Sequence, residues 1–448
     1  MVSFMRNVFV LAGVSVALAA VVSSNLARPA DAAQMAPSTA MSRAVPCDAD
    51  NANLTLPAGF CATIFASSVV APRHMVVASN GDVLLIGNSV RANAESGGGM
   101  VGSGLYLLRD ANKDGKAELV KKLAAGSGSG IALANGYIYH SNARTVVREK
   151  YTVGDTIVGP TEIVIDGLYA GGHTANNFVI IGSTLYLNIG SGTNSCQEND
   201  RKPLSKGVDP CVELETRAGV WSYDANKIGQ KITDGVRYAT GMRNSVSLTV
   251  NPADKSLWAT MHGRDGLQAP PVGQWTRTNE YGAENPAEQV NHIVQGADFA
   301  WPYCYYSTEE KKYVTAPEYG GDGKESSRCG GKSQPAYVFP AHWAPNDMMF
   351  YTGSAFPATY KNGAFIAFHG SWNRAPLPQQ GFRVVFLPLK NNQGTKHEDF
   401  AIDFSNNGGP GKDGKLHRPT GLAQGTDGSL YIADDVGGLI YKVSYKGK

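Results

Sequence analysis

One short pattern recurs six times along the 448-residue chain, and it restricts the fold more than any other feature. A turn containing Asn, Asp or Gly leads into an apolar run, with an aromatic near its middle in most copies, and then into a polar or Gly-rich loop. The copies are NGDVLLIGN from Asn80, NGYIYHSN from Asn135, GSTLYLNIGS from Gly182, DKSLWATMHG from Asp254, NGAFIAFHGS from Asn362 and DGSLYIADD from Asp427. Asn-Gly and Asp-Gly supply the positive φ of tight hairpin turns, and the residues after them favour strands. Six such units spread over nearly the whole chain predict an all-β fold, a six-bladed β-propeller with about four strands per blade. Irregular spacing is expected where the connecting loops carry insertions. The widest gap, from Asp254 to Asn362, holds a Pro- and Gly-rich stretch over about 268–334 that reads as one.

The N-terminus carries a different signal. Arg6 precedes an apolar run from Val8 to about Val22, and Ala30-Asp31-Ala32 has the small-x-small form of a cleavage site. Residues 1–32 are expected to be a secretory signal peptide, and 33–448 a single propeller domain. The other reading, an uncleaved anchor, needs a longer apolar run. No later segment is apolar enough over its length to span a bilayer, so the mature chain is expected to be periplasmic or secreted. Charged residues are 17% and apolar ones 42%, which indicates a globular chain, and a net charge of +2 offers no attraction to nucleic acid. All six cysteines follow the leader, and an even number in an exported chain suggests disulfides. Neighbour pairing gives Cys47–Cys61, Cys196–Cys211 and Cys304–Cys329. No CxxC or CxxCH occurs, which argues against a zinc ribbon and a c-type haem.

Upstream of each repeat lies another strand, and a polar residue often stands at its beginning. Arg73 precedes HMVVASNG, His173 precedes TANNFVIIGS, Arg243-Asn244 precede SVSLTVNPAD, and Arg418 precedes PTGLAQGTDG; in the second unit the uncharged Ser127–Gly130 stand there. The innermost strands of a propeller run parallel to one channel, so matched positions on successive blades converge near the axis. Such arginines either bridge blades through carboxylates or line an anion site centred on the histidine. Four matched positions favour the second.

Longer stretches then become specific. TGMRNSVSLTVNP (240–252), WATMHGRDGL (258–267), NHIVQGADFAWPYC (291–304), WAPNDMMFYTGSAFP (343–357), AFIAFHGSWNR (364–374) and HRPTGLAQGTDGSLYIADDVGGLIYKVSY (417–445) resemble the glucose/sorbosone dehydrogenase family of pyrroloquinoline quinone (PQQ) enzymes. The likeness extends from about Leu56 onward and lies nearest the L-sorbosone dehydrogenase-like branch and the soluble aldose sugar dehydrogenases. It implies a six-bladed propeller that uses PQQ and Ca²⁺. By the same likeness His173 matches the base that takes a proton from the sugar hydroxyl. Arg243 matches the arginine at the reactive quinone carbonyl, Asn244 its neighbouring contact, and Arg418 an arginine on the cofactor's carboxylates. Gly263 and Arg264 fall where backbone carbonyls hold the calcium. The chain departs from the family at three places. HGSWNR offers Asn373 or Arg374 in place of a lysine, Gly172 stands where an acidic residue precedes the histidine, and SGSGIAL lacks a glutamine.

The chemistry is consistent with the residue types. PQQ carries three carboxylates, which suits arginine forks such as Arg73, Arg243 and Arg418. An imidazole can accept an alcohol proton near neutrality. Trp372 either stacks on a planar cofactor or packs between blades. The loop RDANKDGKAE holds Asp110, Asn112, Asp114 and Glu118 in the pattern that opens a calcium loop, but Lys121 occupies the twelfth position, so a polar hairpin turn is the competing reading. His262, His342 and His369 are candidates for the substrate pocket. The leading expectation is an exported PQQ- and calcium-dependent dehydrogenase. It would oxidise an aldose or a sorbosone-like aldehyde and pass electrons to an external acceptor. The alternatives are a propeller metal-dependent lactonase and a non-catalytic binding propeller, because a fold alone does not determine function.

Overall fold

The computed structural model describes residues 47–88, 90–91, 100–142, 144–203, 205–267 and 275–447. The expected leader, 1–32, lies outside them. Six antiparallel sheets form the blades of a β-propeller. Blade 1 contains Pro72–Val77, Val83–Gly87, Gly104–Arg109 and Leu119–Ala124. Blade 2 contains Ile131–Ala134, Tyr137–Ser141, Thr145–Lys150 and Glu162–Asp166; blade 3 contains Phe178–Ile181, Thr184–Ile189, Gly219–Asp224 and Val236–Thr240. Blade 4 contains Leu248–Val250, Leu257–Met261, Glu288–Ile293 and Tyr337–Phe339; blade 5 contains Pro345–Phe350, Gly363–Phe368, Arg383–Lys390 and Glu398–Ala401. Blade 6 is closed by both ends of the chain, with Pro419–Gln424, Leu430–Asp434 and Leu439–Tyr445 completed by Phe60–Ala66. Each of the six repeats is the second strand of its blade, and its turn ends the connection from the first strand, which is a longer loop with a short helical turn, Ala358–Tyr360, in blade 5.

These second strands are buried on both faces because each serves two gaps between blades. Val83 and Leu85 pack toward blade 6, while Leu84 and Ile86 pack toward blade 2. A separate apolar cluster fills each of the six gaps. A strand covered on both sides reads as a continuous apolar run without polar alternation, which is why the repeats stand out in the sequence.

The stretch 268–334 is not a single insertion. Glu288–Ile293 within it is the third strand of blade 4, pairing with Leu257–Met261 on one side and Tyr337–Phe339 on the other. A short helix, Asn279–Glu284, lies on one side of that strand in sequence, and a hairpin of Cys304–Ser307 and Lys312–Thr315 on the other. The three disulfides are Cys47–Cys61, Cys196–Cys211 and Cys304–Cys329, as neighbour pairing predicts. The first pins the start of the described chain to the closing strand, and the third pins the hairpin.

The six first strands contact one another in order around the axis. They enclose a cavity of about 400 Å³ lined by residues including His74, Phe178, Leu248, Asp347 and Leu422. All six begin at one end of the molecule, the mouth, and the second strands run back and finish there. The loops after the third strands, 110–118 among them, lie at the opposite end.

Candidate active site

The mouth has two charged centres. On the side of blades 3 and 4, Arg243 is the last position but four before the first strand of blade 4 and is nearly inaccessible to solvent, at 4%. Its Nε donates to the Asn194 carbonyl at 3.1 Å and its Nη1 to the Gly263 carbonyl at 2.8 Å. Its Nη2 reaches Asn194 Oδ1 at 2.9 Å and Asp265 Oδ2 at 3.1 Å. Asp265 also accepts from Arg201 Nη2 at 2.9 Å and from Asn373 Nδ2 at 2.7 Å. Burial pushes the Asp265 carboxyl up, but Arg243 and Arg201 outweigh it and bring it down to about 2. Burial also pushes Glu288 up to about 7, against the pull of the Gly263 and Ala344 amides that donate to it.

His173 stands next to this centre at the start of blade 3. Its Nδ1 lies 2.9 Å from Ser191 Oγ and 3.2 Å from the Ser191 carbonyl. Burial first, and then the Arg243 charge, depress its pKa to about 2, so the ring is neutral in the working pH range. A neutral imidazole can accept a proton, which an imidazolium cannot. His262 is held down to about 3 by burial and by Arg243, with a further contribution from His369, so it lies within the fields of both centres.

The second centre belongs to blades 5, 6 and 1. Asp435 Oδ2 accepts from Arg73 Nη1 at 2.9 Å and Asp435 Oδ1 meets His369 Nε2 at 2.8 Å. Burial raises the Asp435 carboxyl, but His369 and Arg73 lower it to about 2. Arg418 points its Nε at the His369 carbonyl, 2.8 Å away, and its Nη2 at the Gly370 carbonyl, and among the described residues it forms no ion pair. Arg73 Nε is buried without a hydrogen-bond partner. An unpartnered buried donor is costly, so this face of the mouth is built to receive an acceptor.

The structure therefore places the residues that head first strands at one end, Arg243 and His173 in one centre and Arg73 and Arg418 in the other. The HGSWNR loop splits. Asn373 joins the Asp265 centre, whereas Arg374 turns away and donates to the backbone carbonyls of Ala283, Ala341 and Pro378. Trp372 is 70% exposed, so it does not pack between blades. It edges a cleft of about 240 Å³ shared with Asn194, Arg201, Asp265, Glu318 and Asn373. Gly263 presents its carbonyl to Arg243, while the Arg264 side chain pairs with buried Glu318 in the wall of that cleft. Asn244 accepts from the His262 amide through its backbone carbonyl. His342 directs its Nε2 to the Gly282 carbonyl, 2.8 Å away, and lies within the field of Asp265.

Asp110 and Asp114 group with Glu118 at the far end, their carboxylate oxygens within 4.8 Å of one another. Asp110 takes the Asp114 and Gly115 amides, Asp114 takes the Lys116 amide and Asn112 takes the Asp114 amide, as a polar turn requires. This loop is remote from the mouth.

The residues that strand-start reasoning missed share one address. Ser191, Asp265 and Asp435 follow the second strands of blades 3, 4 and 6, which end at Ile189, Met261 and Asp434, and His369, already a candidate for the substrate pocket, follows that of blade 5, which ends at Phe368. The signal was in the repeats themselves, since the polar loop closing each copy returns to the mouth.

A family model described as TrAA12-like matches residues 54–446. A PQQ-dependent sugar dehydrogenase of Hypocrea jecorina is 24% identical over 361 residues, 72% of this chain and 76% of that protein. A PQQ-dependent pyranose dehydrogenase of Coprinopsis cinerea is 25% identical over 53% of this chain, which spans only 37% of the relative. An uncharacterized protein of Borreliella burgdorferi is 30% identical over 46% of this chain and 48% of its own length. Among solved structures, the holo form of the Coprinopsis cinerea pyranose dehydrogenase PQQ domain superposes with a TM-score of 0.69 at 21% identity, covering 87% of this chain and 97% of that one. The apo form of the soluble aldose sugar dehydrogenase from Escherichia coli gives 0.55 at 16% identity over 86% and 99%.

Proposed function

Because the chain belongs to the TrAA12-like family, we propose that it is an oxidoreductase that oxidises a sugar, or a related aldehyde as its hydrate, with PQQ as the group that accepts hydride. The observation that carries this reading is the cationic mouth. Arg73 has a buried donor without a partner and Arg418 forms no ion pair among the described residues, in the centre of the mouth that does not contain the proton acceptor His173. A multiply anionic, planar ligand matches such donors, and arginine forks recognise carboxylates in two-point fashion. PQQ, when bound, supplies the quinone that takes the hydride.

The chain's own residues would do the rest. His173 accepts the substrate hydroxyl proton at Nε2, since its Nδ1 faces Ser191. Arg243, fixed by four hydrogen bonds, would hold a cation beside that base, where it would stabilise the negative charge that the hydride acceptor gains. Arg73 and Arg418 anchor carboxylates. Trp372 and Asn373 border the cleft through which a sugar ring would approach. Calcium, if used, would sit against the carbonyls of Gly263 and Arg264. The Gly263 oxygen gives one lone pair to Arg243 and keeps the other, and oxygen donors of this kind suit a hard cation.

Three disulfides indicate folding in an oxidising compartment, and among the described residues no helix is long and apolar enough to cross a membrane. We place the mature protein in the periplasm or outside the cell, delivering electrons to an external acceptor.

The test is dye reduction over a panel of aldoses, sorbosone and simple aldehydes, with PQQ and Ca²⁺ added separately and together, alongside direct titration of PQQ binding. Turnover that requires PQQ, and that falls by at least about 10²-fold in His173→Ala with PQQ still bound, supports the reading. Folded protein that fails to bind PQQ at any Ca²⁺ level refutes it.

A further inference from the structure

We propose that Ser191 is the positioning residue that fixes the tautomer of His173, holding a proton on Nδ1 and leaving Nε2 free to accept one. The inference rests on His173 being the proton acceptor of the reaction. The hydroxyl of Ser191 lies 2.6 Å from the Thr193 carbonyl oxygen, an atom that can only accept, so the single hydroxyl proton is committed there. Toward His173 Nδ1, 2.9 Å away, Ser191 Oγ therefore presents only lone pairs, and the proton of that contact must belong to the imidazole.

The Ser191 carbonyl, 3.2 Å from the same nitrogen, also can only accept. It is already loaded, taking the His173 amide at 2.9 Å and Arg217 Nη2 at 3.2 Å, which leaves the hydroxyl as the principal partner of the ring. Ser191 is completely buried, so no bulk water competes. Its amide donates to the Arg243 carbonyl at 2.8 Å, so one residue ties the base to the arginine beside it.

What holds Ser191 lies deeper. Glu213, on the turn Val212–Glu215 that follows Cys211, takes the Gly192 amide at 2.6 Å, the Thr193 amide at 3.3 Å and the Thr193 hydroxyl. Thr193 Oγ1 in turn accepts from the Cys196 amide at 2.9 Å, next to the Cys196–Cys211 bridge. The disulfide loop thus fixes the carbonyl that orients the hydroxyl that orients the imidazole. A carboxylate in the place of Ser191 would orient the ring equally well but would draw a second proton onto it. A hydroxyl with its own proton committed elsewhere orients it without adding charge.

The experiment is ring ¹⁵N NMR of the full-length, cofactor-free protein with labelled histidine, the His173 signals being assigned by their loss in His173→Ala. In the wild type we expect a protonated Nδ1 and an unprotonated Nε2; the opposite tautomer overturns the proposal without any variant. In Ser191→Ala, shown to be folded by circular dichroism, we expect a substantial Nε2–H population. We also expect kcat to fall about tenfold with KM and PQQ affinity unchanged, and Ser191→Thr to restore the tautomer and the rate. His173 signals identical to wild type in Ser191→Ala overturn the proposal. A shifted tautomer with an unchanged kcat supports control by Ser191 and instead removes His173 from the role of base.

Discussion

Arg243 makes four hydrogen bonds at once, two to Asn194 and one each to Gly263 and Asp265, which is one more than the three N–H donors of a lysine could supply. Arg243→Lys keeps the charge and loses most of that geometry. The variant is expected to lose stability toward the low end of about 3–5 kcal/mol, the range for breaking a buried pair, because Arg201 and Asn373 still hold Asp265. Urea unfolding of the cofactor-free protein measures this, and an unchanged midpoint would contradict it. Neighbouring residues can part company at this scale. Asn373 and Arg374 are adjacent, yet one serves the mouth and the other braces backbone carbonyls on the helix side. Nothing in the two letters distinguishes them, since their directions depend on the turn that carries them.

The loop Gly171–His173 shows how an element delivers a side chain. Gly172 has φ +71, and a Cβ built on it would lie 2.5 Å from the Ser191 carbonyl and 2.6 Å from Gly192 Cα. No side chain fits there, an acidic one included, so the acidic residue that the family places before the histidine, and that this chain lacks, has no room here, and the ring's partner is Ser191. Gly172→Ala is expected to destabilise by at least about 1–3 kcal/mol and to lower kcat more than PQQ affinity, because it separates the His173 and Ser191 loops. Thermal melts and PQQ titration check the two halves of that statement. Trp258, fully buried in the second strand of blade 4 between blades 4 and 5, tests the packing that holds the ring. Trp258→Ala should cost about 3–5 kcal/mol in denaturant unfolding.

At the scale of the molecule, the burial of its histidines makes the fold sensitive to acid. His173, His262, His342, His369 and His397 are all depressed below the ordinary 6.5, chiefly by burial. Below that value the unfolded chain takes up protons that the folded chain refuses, so stability falls as pH falls. His417 opposes them. Burial lowers it, but Asp434 and Asp413 outweigh burial and raise it, so its contribution is present below 6.5 and lost as pH rises through its folded value. Asp265 and Asp435, held near 2 against an ordinary 3.8, contribute above 3.8 and lose that contribution only in stronger acid. Glu288, raised by burial from an ordinary 4.5 to about 7, also opposes them, because the folded chain keeps a proton there that the unfolded chain releases, so its contribution is lost as pH rises between those values. With five histidines against these two groups, the urea midpoint of the cofactor-free protein should rise between about pH 4.5 and pH 7. A flat or falling profile would show that burial of these histidines does not govern the stability.

The number of blades and the strand starts that face the axis could be read from the sequence, because hairpin turns and doubly buried strands are written in a few consecutive residues. Arg73, His173, Arg243 and Arg418 were visible for that reason. Glu288–Ile293 was hidden, being a short strand amid Pro- and Gly-rich chain, and its blade assignment comes from pairing with Leu257–Met261. The partners of the cations were equally hidden. Arg73 meets Asp435 across 362 residues, and Ser191 reaches His173 only when two loops of blade 3 close on each other. Hydrogen bonds depend on tenths of an ångström, and those distances exist only after both ends of the chain have closed the ring.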